Sequence, residues 1–107
     1  MPDSPSEADF LALVEAVRRQ DATLSPLGAG IIAAISQGIA DDSRTFARLF
    51  GIAHALVLRE INLLCGPEAP IEIVRRDPRT QRTHIKLTVK GGTLMAGVLD
   101  LGDNVAK

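Results

Sequence analysis

The alternation of apolar and polar positions divides the chain into helical stretches up to about residue 65, a pair of alternating runs after it, and a last helical stretch. Phe10, Leu13, Val14 and Val17 recur at helical spacing, while Glu7, Glu15, Arg18 and Arg19 fall mainly on the other side. This predicts an amphipathic helix from Ser6, an N-cap with Asp9 three residues on, to about Gln20. Ser25-Pro26 opens a second helix, with proline at the first position, where its missing N–H costs nothing. In LGAGIIAAISQGIA, Gly28, Gly30, Ala33 and Ala34 leave room for a neighbouring helix, and Ile31, Ile32 and Ile35 supply core, so a buried central helix is expected. The Gly-x-Gly there lacks a preceding strand and a third glycine, which makes packing a better account than a nucleotide loop.

Asp41, Asp42 and Ser43 form a capping cluster ahead of RTFARLF, a short helix whose Phe46, Leu49 and Phe50 share a face at spacings of three and four. Gly51 breaks it. AHALVLREINLLC then reads as a helix from about Ala53 to Cys65, with Val57, Ile61 and Leu64 inward, and Gly66-Pro67 stops it. Two helices divided by a glycine turn are the helix-turn-helix pattern. From Ile71 the period becomes two: Ile71 and Ile73 alternate with Glu72, and Ile85, Leu87 and Val89 alternate with His84, Lys86 and Thr88. Asp77-Pro78 supplies a turn, giving a hairpin over about 71–89. Thr88 or Lys90 leads into a final helix over about 90–100, through Leu94, Met95, Val98 and Leu99. The expected organisation is a flexible start at 1–5, one α+β, mainly helical domain over 6–101, and a polar tail at 102–107.

Length agrees with this, since 107 residues bury a single modest core. At 46% hydrophobic and 23% charged, the chain has the composition of a folded domain. Its only aromatics are three Phe, so the core is aliphatic and base-stacking platforms for single strands or RNA loops are disfavoured. Net charge is −1, yet Arg75, Arg76, Arg79, Arg82, Lys86 and Lys90 hold half of the twelve Lys and Arg. That asymmetry, in a hairpin that needs no such excess to fold, points to nucleic-acid contact. Either Arg75 or Arg76 must turn towards the body of the domain, while Arg79 and Arg82 are the best contacts near the tip.

Other chemistry is sparse. A lone Cys65 supports neither an internal disulfide nor a multi-cysteine metal site, and its place at the end of an apolar stripe suggests a buried structural thiol. The first ten residues lack a basic segment and an apolar signal core, and no apolar run approaches the roughly 18 residues of a membrane span, so a cytoplasmic protein is expected. His54 and His84 have no partner at metal-ligand spacing. Ser43, Asp42 and His54 are the residue types of a hydrolase triad, but the serine and aspartate read as caps, and no nucleophile elbow or phosphate loop occurs. No cofactor and no catalytic activity are expected.

From about Ser43 to Gly91, the stretches FARLFGIAHALVLREINLL and IVRRDPRTQRTHIKLTVKG resemble the MarR family of bacterial regulators. Phe46-Ala47 and Leu49 to Ile52 look like that family's first helix and turn, and Val57, Ile61 and Leu64 like the buried face of its recognition helix. Arg76-Asp77-Pro78, Arg82 and Leu87-Thr88 with Gly91 look like its wing. The resemblance implies a winged helix-turn-helix fold and a homodimeric transcriptional regulator of double-stranded DNA, with a recognition helix in the major groove and a wing on the adjacent backbone or minor groove. It also raises the chance of control by a small-molecule effector. The residues placed against DNA are His54, Ala55, Leu58, Arg59 and Asn62 on the helix and Arg76, Arg79, Thr80, Gln81 and Arg82 on the wing. Arg59 and Asn62 have the chemistry to read base edges, whereas Ala55 and Leu58 offer at most contact with a thymine methyl. Affinity is therefore expected to come largely from wing cations on phosphates, with steep salt dependence.

Two readings stay open. The apolar faces of the first and last helices either close the core or form the dimer interface. The apolar exposed side of the recognition helix also allows a protein-protein interaction module, with Ala55 and Leu58 on a partner and the wing arginines on its acidic side chains.

Overall fold

The computed structural model describes residues 7–106, with side chains described as far as Val98. The expected lead-in over 1–5, the Ser6 cap and the side chain of Leu99 lie outside the described residues. The elements, in order, are α1 (Glu7–Gln20), α2 (Pro26–Ser36), α3 (Ser43–Phe50), α4 (His54–Leu64), β1 (Ile71–Arg76), β2 (Thr83–Leu87) and α5 (Val89–Ala106). This is a small α+β fold in which the strands form an antiparallel two-stranded sheet.

Helix α2 is central because almost every side chain on it is small or aliphatic. Gly28 to Ala34 are buried, and α2 packs against α1, α4, α5 and β2. Ser25 caps it, accepting the Gly28 N–H, while its hydroxyl donates to Glu60 on α4 at 2.9 Å. A Cβ on Gly28 would come within 2.9 Å of that Glu60 oxygen, so glycine is what allows the two helices to close. Phe46, Ile31, Ile32, Ile61, Ile71, Val17 and Val57 are fully buried. Each large aliphatic or aromatic side chain so buried contributes about 1.5–3 kcal/mol before conformational entropy is charged against it.

Asp42, in extended conformation, caps α3 by accepting the Arg44 and Thr45 N–H groups. Gly51 ends that helix with φ at 66°, a left-handed conformation open to glycine without strain. The chain then turns through Ile52 and Ala53 into α4, whose Val57, Ile61 and Leu64 face inward as the periodicity predicts. Leu49 departs from expectation: it shares the Phe46 and Phe50 stripe in sequence but is largely exposed, at the edge of a surface groove.

The hairpin departs from simple alternation. Ile71 pairs with Leu87 and Ile73 with Ile85, but Arg75 then pairs with His84 and Arg76 with Thr83, leaving Val74 as an extra residue on β1. This bulge shifts β1 by one position relative to its partner, so Arg76 rather than Arg75 stands on the face of Thr83 and Ile85. Of β1 only Ile71 is buried; Ile73, expected inward, is 37% exposed beside the bulge. Before α3, Asp42 forms an isolated antiparallel bridge with His84, and Ile85 N–H donates to the Asp41 carbonyl at 2.9 Å. The hairpin is thereby tied to the start of α3 as well as to the chain that precedes and follows it.

Val89, expected as the end of the second strand, is instead the first residue of α5. Thr88 is responsible: its hydroxyl accepts the Gly91 N–H and donates to the Ala69 carbonyl, while its own N–H donates to Pro70. Helix α5 also continues to Ala106, through most of the expected tail. No proline interrupts that stretch, and Gly102 disfavours a helix by only about 1 kcal/mol. Met95 and Val98 are buried in this chain's own core, so the apolar face of α5 as far as Val98 serves to close it.

Candidate nucleic-acid interface

Of the residues expected on DNA, His54, Thr80 and Arg82 are brought to one edge formed by the first turns of α3 and α4 and the hairpin, while Asn62, in the last turn of α4, meets Arg76. Asp42, Ser43, His54, Thr83 and Arg82 form the junction. Ser43 Oγ accepts the Thr83 backbone N–H at 2.9 Å and lies 2.7 Å from His54 Nε2. The hydroxyl can donate to an unprotonated Nε2 or accept from a protonated one, so the direction of this contact follows the imidazole tautomer. Partial burial, with the Arg44 and Arg82 guanidiniums nearby, holds the His54 pKa below its usual 6.5, which favours the neutral ring.

Asp42 joins the other side of the junction. Its carboxylate accepts from Arg44 N–H, Thr45 N–H and Thr45 Oγ, and pairs with Arg82 at 3.4 Å. Burial alone would push this carboxyl up, but the Thr45 hydrogen bonds, Arg82 and the Arg44 N–H outweigh it and hold it below 3.8. Arg82, expected with Arg79 as a contact nearest the tip, is half-buried and paired with the body of the domain. Its distance in sequence from Asp42 is what conceals this pair.

The tip is held by its own polar groups. Asp77 and Arg82 close the loop through Asp77 N–H to the Arg82 carbonyl, and Gln81 N–H returns to the Asp77 carbonyl. Asp77 Oδ1 accepts the Arg79 N–H at 2.8 Å, and Gln81 sits in a left-handed conformation at φ 63°. Arg79, Thr80 and Gln81 are exposed there. Arg44, which sequence reasoning did not assign, donates from its guanidinium to the Thr80 carbonyl at 2.8 Å. It is exposed, in the first turn of α3, and joins the cationic edge; its place two residues after the capping Asp42 was the available signal.

On α4, Ala55, Arg59 and Asn62 are exposed, but Leu58 is half-buried and His54 is turned to Ser43. Arg76 Nε donates to Thr83 Oγ at 3.0 Å, and its Nη2 approaches Asn62 Oδ1 at 3.4 Å. The bulge that turns Arg76 to the face of Thr83 therefore places it, still exposed, alongside α4. Ala53 gives α4 no side-chain cap, so the positive end of its helix dipole lies at this edge. Leu56 and Leu63 are exposed as well, 50% and 70%, and add an apolar component to α4 that the expected inner and outer faces did not include.

Cys65 is half-buried, and burial pushes its thiol above 9.0 despite the opposing effect of Arg76, which favours an unreactive thiol. Ser43 has no exposed surface and its oxygen is occupied by Thr83, so the Ser43-His54 contact is not arranged for nucleophilic attack. Among the described residues no group of three His, Cys, Asp or Glu is placed to hold a metal ion, and no helix is long and apolar enough to cross a membrane. Compared with family models, curated proteins and solved structures, the chain matches none.

Proposed function

We propose that this chain is a winged helix-turn-helix protein of the MarR-like kind that binds double-stranded DNA and regulates transcription. On this reading α4 is the recognition helix and the hairpin from Ile71 to Leu87 is the wing. The observation that carries it is the common cationic edge: Arg44 on α3, which donates to the Thr80 carbonyl, the uncapped start of α4 with His54, and Arg82 on the hairpin are held together by the Ser43 hydrogen bonds and the Asp42–Arg82 pair, with Arg79 exposed next to Thr80 at the tip. An electropositive edge with a helix start at its centre suits a phosphate backbone.

Arg59 and Asn62 are the side chains with base-reading chemistry, and Arg79, Thr80 and Gln81 are the exposed backbone contacts. Arg82 and Arg76 act chiefly by setting the wing against α3 and α4. The binding so described is mostly electrostatic, hence strongly salt-dependent and modest in sequence preference. Selection of bound duplexes from a random pool at low and moderate salt tests this: enrichment of short A- or G-containing motifs that survives the higher salt supports base reading by Asn62 and Arg59, and recovery of no duplex at low salt rejects DNA binding.

The exposure of Leu56 and Leu63 favours a second reading, an interaction module whose α4 meets a protein partner. Charge reversal at Arg79 separates the two, because it weakens DNA binding on the first reading and leaves any DNA affinity unchanged on the second.

A further inference from the structure

His54 opens α4 half-buried, with charged side chains from two other elements acting on its ring. Arg44 comes from the first turn of α3, Asp42 from the cap of that helix, and Arg82 from the hairpin just ahead of β2. Asp42 is already engaged: its carboxylate accepts the Arg44 N–H, the Thr45 N–H and the Thr45 hydroxyl, and pairs with Arg82 at 3.4 Å. It is held below 3.8, so it stays ionised while an imidazole titrates. His84 of β2, the chain's other imidazole, bridges to Asp42 through its backbone, and Leu58, one turn along α4, adds no charge. With Asp42 so occupied, burial and the two guanidiniums prevail, and the His54 ring resists protonation.

The contact that holds the ring does not itself forbid a second proton. Nε2 lies 2.7 Å from Ser43 Oγ, which accepts the Thr83 N–H at 2.9 Å. A hydroxyl oxygen has two lone pairs, so it can keep that N–H and accept another from the ring. His54 can therefore become charged in place, with the hairpin still tied to α3 and α4. What opposes the charge is the pair of neighbouring cations, and these are groups that a DNA backbone neutralises. Arg44 is exposed, its guanidinium 2.8 Å from the Thr80 carbonyl, and Arg82 is half-exposed. Phosphates beside them offset the repulsion felt by the ring and add an attraction of their own.

We infer that a bound duplex draws a proton onto His54, so that the chain holds double-stranded DNA more tightly as pH falls through the imidazole range. This rests on the DNA reading and adds to it a charge that is made in the complex. The free ring titrates below 6.5, and the phosphates raise that value on binding. Between the free and bound values the complex carries more protons than the separate partners, so affinity rises as pH falls, and below the free value it levels off. One proton limits the gain to about tenfold per pH unit. Acid thus acts in opposite directions on two equilibria: through the same ring it loosens the free chain and strengthens the complex.

Fluorescence anisotropy of a labelled duplex with the full chain, at one ionic strength from about pH 8 to about pH 5.5, tests it. The wild type is expected to bind severalfold tighter at the acid end, and His84→Gln to follow it. His54→Gln, whose amide can still meet Ser43 but does not titrate, is expected to give a level affinity, with circular dichroism at each pH as the check on folding. Nuclear magnetic resonance of the wild-type ring protons reads the same transition without a substitution, and the His54 pKa is expected to be higher with duplex than without. An affinity that stays level in the wild type, a rise that persists in His54→Gln, or a His54 pKa that duplex does not raise overturns the inference and leaves DNA binding standing. Absence of duplex binding at every pH overturns both.

Discussion

Ser43 Oγ lies 2.7 Å from His54 Nε2 while accepting the Thr83 N–H, so a single hydroxyl connects the first turn of α3, the first turn of α4 and the first residue of β2. With Asp42 and Arg82 beside it, this contact fixes where the hairpin stands relative to α4. Burial and the Arg44 and Arg82 guanidiniums hold the folded pKa of His54 below 6.5. Between the two values the unfolded chain binds more protons than the folded one, so stability rises with pH there. The contribution is present above 6.5 and lost as pH falls through the lower folded value. Urea midpoints of the wild type are expected to decline between about pH 7.5 and about pH 5, and His54→Gln is expected to flatten the part of that decline nearest pH 6. Asp42, also lowered, adds its loss only below 3.8, so the two contributions fall in separate windows.

Removing the hydroxyl has a different consequence. In Ser43→Ala the buried Thr83 N–H loses its acceptor, and the expected cost is about 1–3 kcal/mol of stability, measured by chemical denaturation. Ser43→Thr keeps an acceptor, but its extra methyl enters a site with no exposed surface. Its midpoint should lie below the wild type, and should a Ser43→Ala midpoint equal that of the wild type, the junction does not hold the hairpin.

Two neighbouring glycines in α5 predict opposite results. A Cβ at Gly91 would stand 2.1 Å from the Pro70 carbonyl oxygen, part of the corner that joins β1 to α5, whereas one at Gly92 meets nothing within 4 Å. Gly91→Ala should destabilise by about 1–3 kcal/mol or prevent folding, because backbone must move. Gly92→Ala should be neutral or stabilise by up to about 1 kcal/mol through helix propensity. Thermal melts of the pair side by side check both.

Arg79 and Arg82 are alike in sequence and unlike in structure. Arg79 is exposed at the tip, while Arg82 pairs with the largely buried Asp42. Arg79→Ala should leave the melting midpoint unchanged and reduce the salt slope of duplex binding by about 1. Arg82→Ala should lower the midpoint too, by an amount corresponding to about 1 kcal/mol, since it leaves the Asp42 carboxylate without its cation. Equal effects of the two substitutions on stability would contradict the distinction.

Helix positions and the inner stripe of α4 were legible in the sequence because caps, glycine stops and periodicity are local signals. Asp42, Gly51 and Thr88 each mark a boundary by their own chemistry. What could not be read was set by contacts distant in sequence. The choice of Arg76 over Arg75 depends on the Val74 bulge, which the alternating pattern of β1 conceals. The Asp42-Arg82 pair and the Arg44 contact with Thr80 span the gap between α3 and the hairpin tip. Leu49 carries the helical spacing of a core residue, yet it lies at a groove edge where no further element among the described residues covers it. The basic edge itself was visible as a local excess of arginine, but its division into exposed cations and positioning cations required the fold.

The central claim, that the cationic edge holds double-stranded DNA, is tested most directly by fluorescence anisotropy of a labelled duplex titrated with the full chain between about 50 and 200 mM salt. The account predicts saturable binding whose logarithm falls linearly with the logarithm of salt, with a slope that becomes shallower in Arg79→Ala and again in Arg44→Ala with Arg79→Ala. Absence of binding at the lowest salt, or binding with a slope that these substitutions leave unchanged, would contradict it.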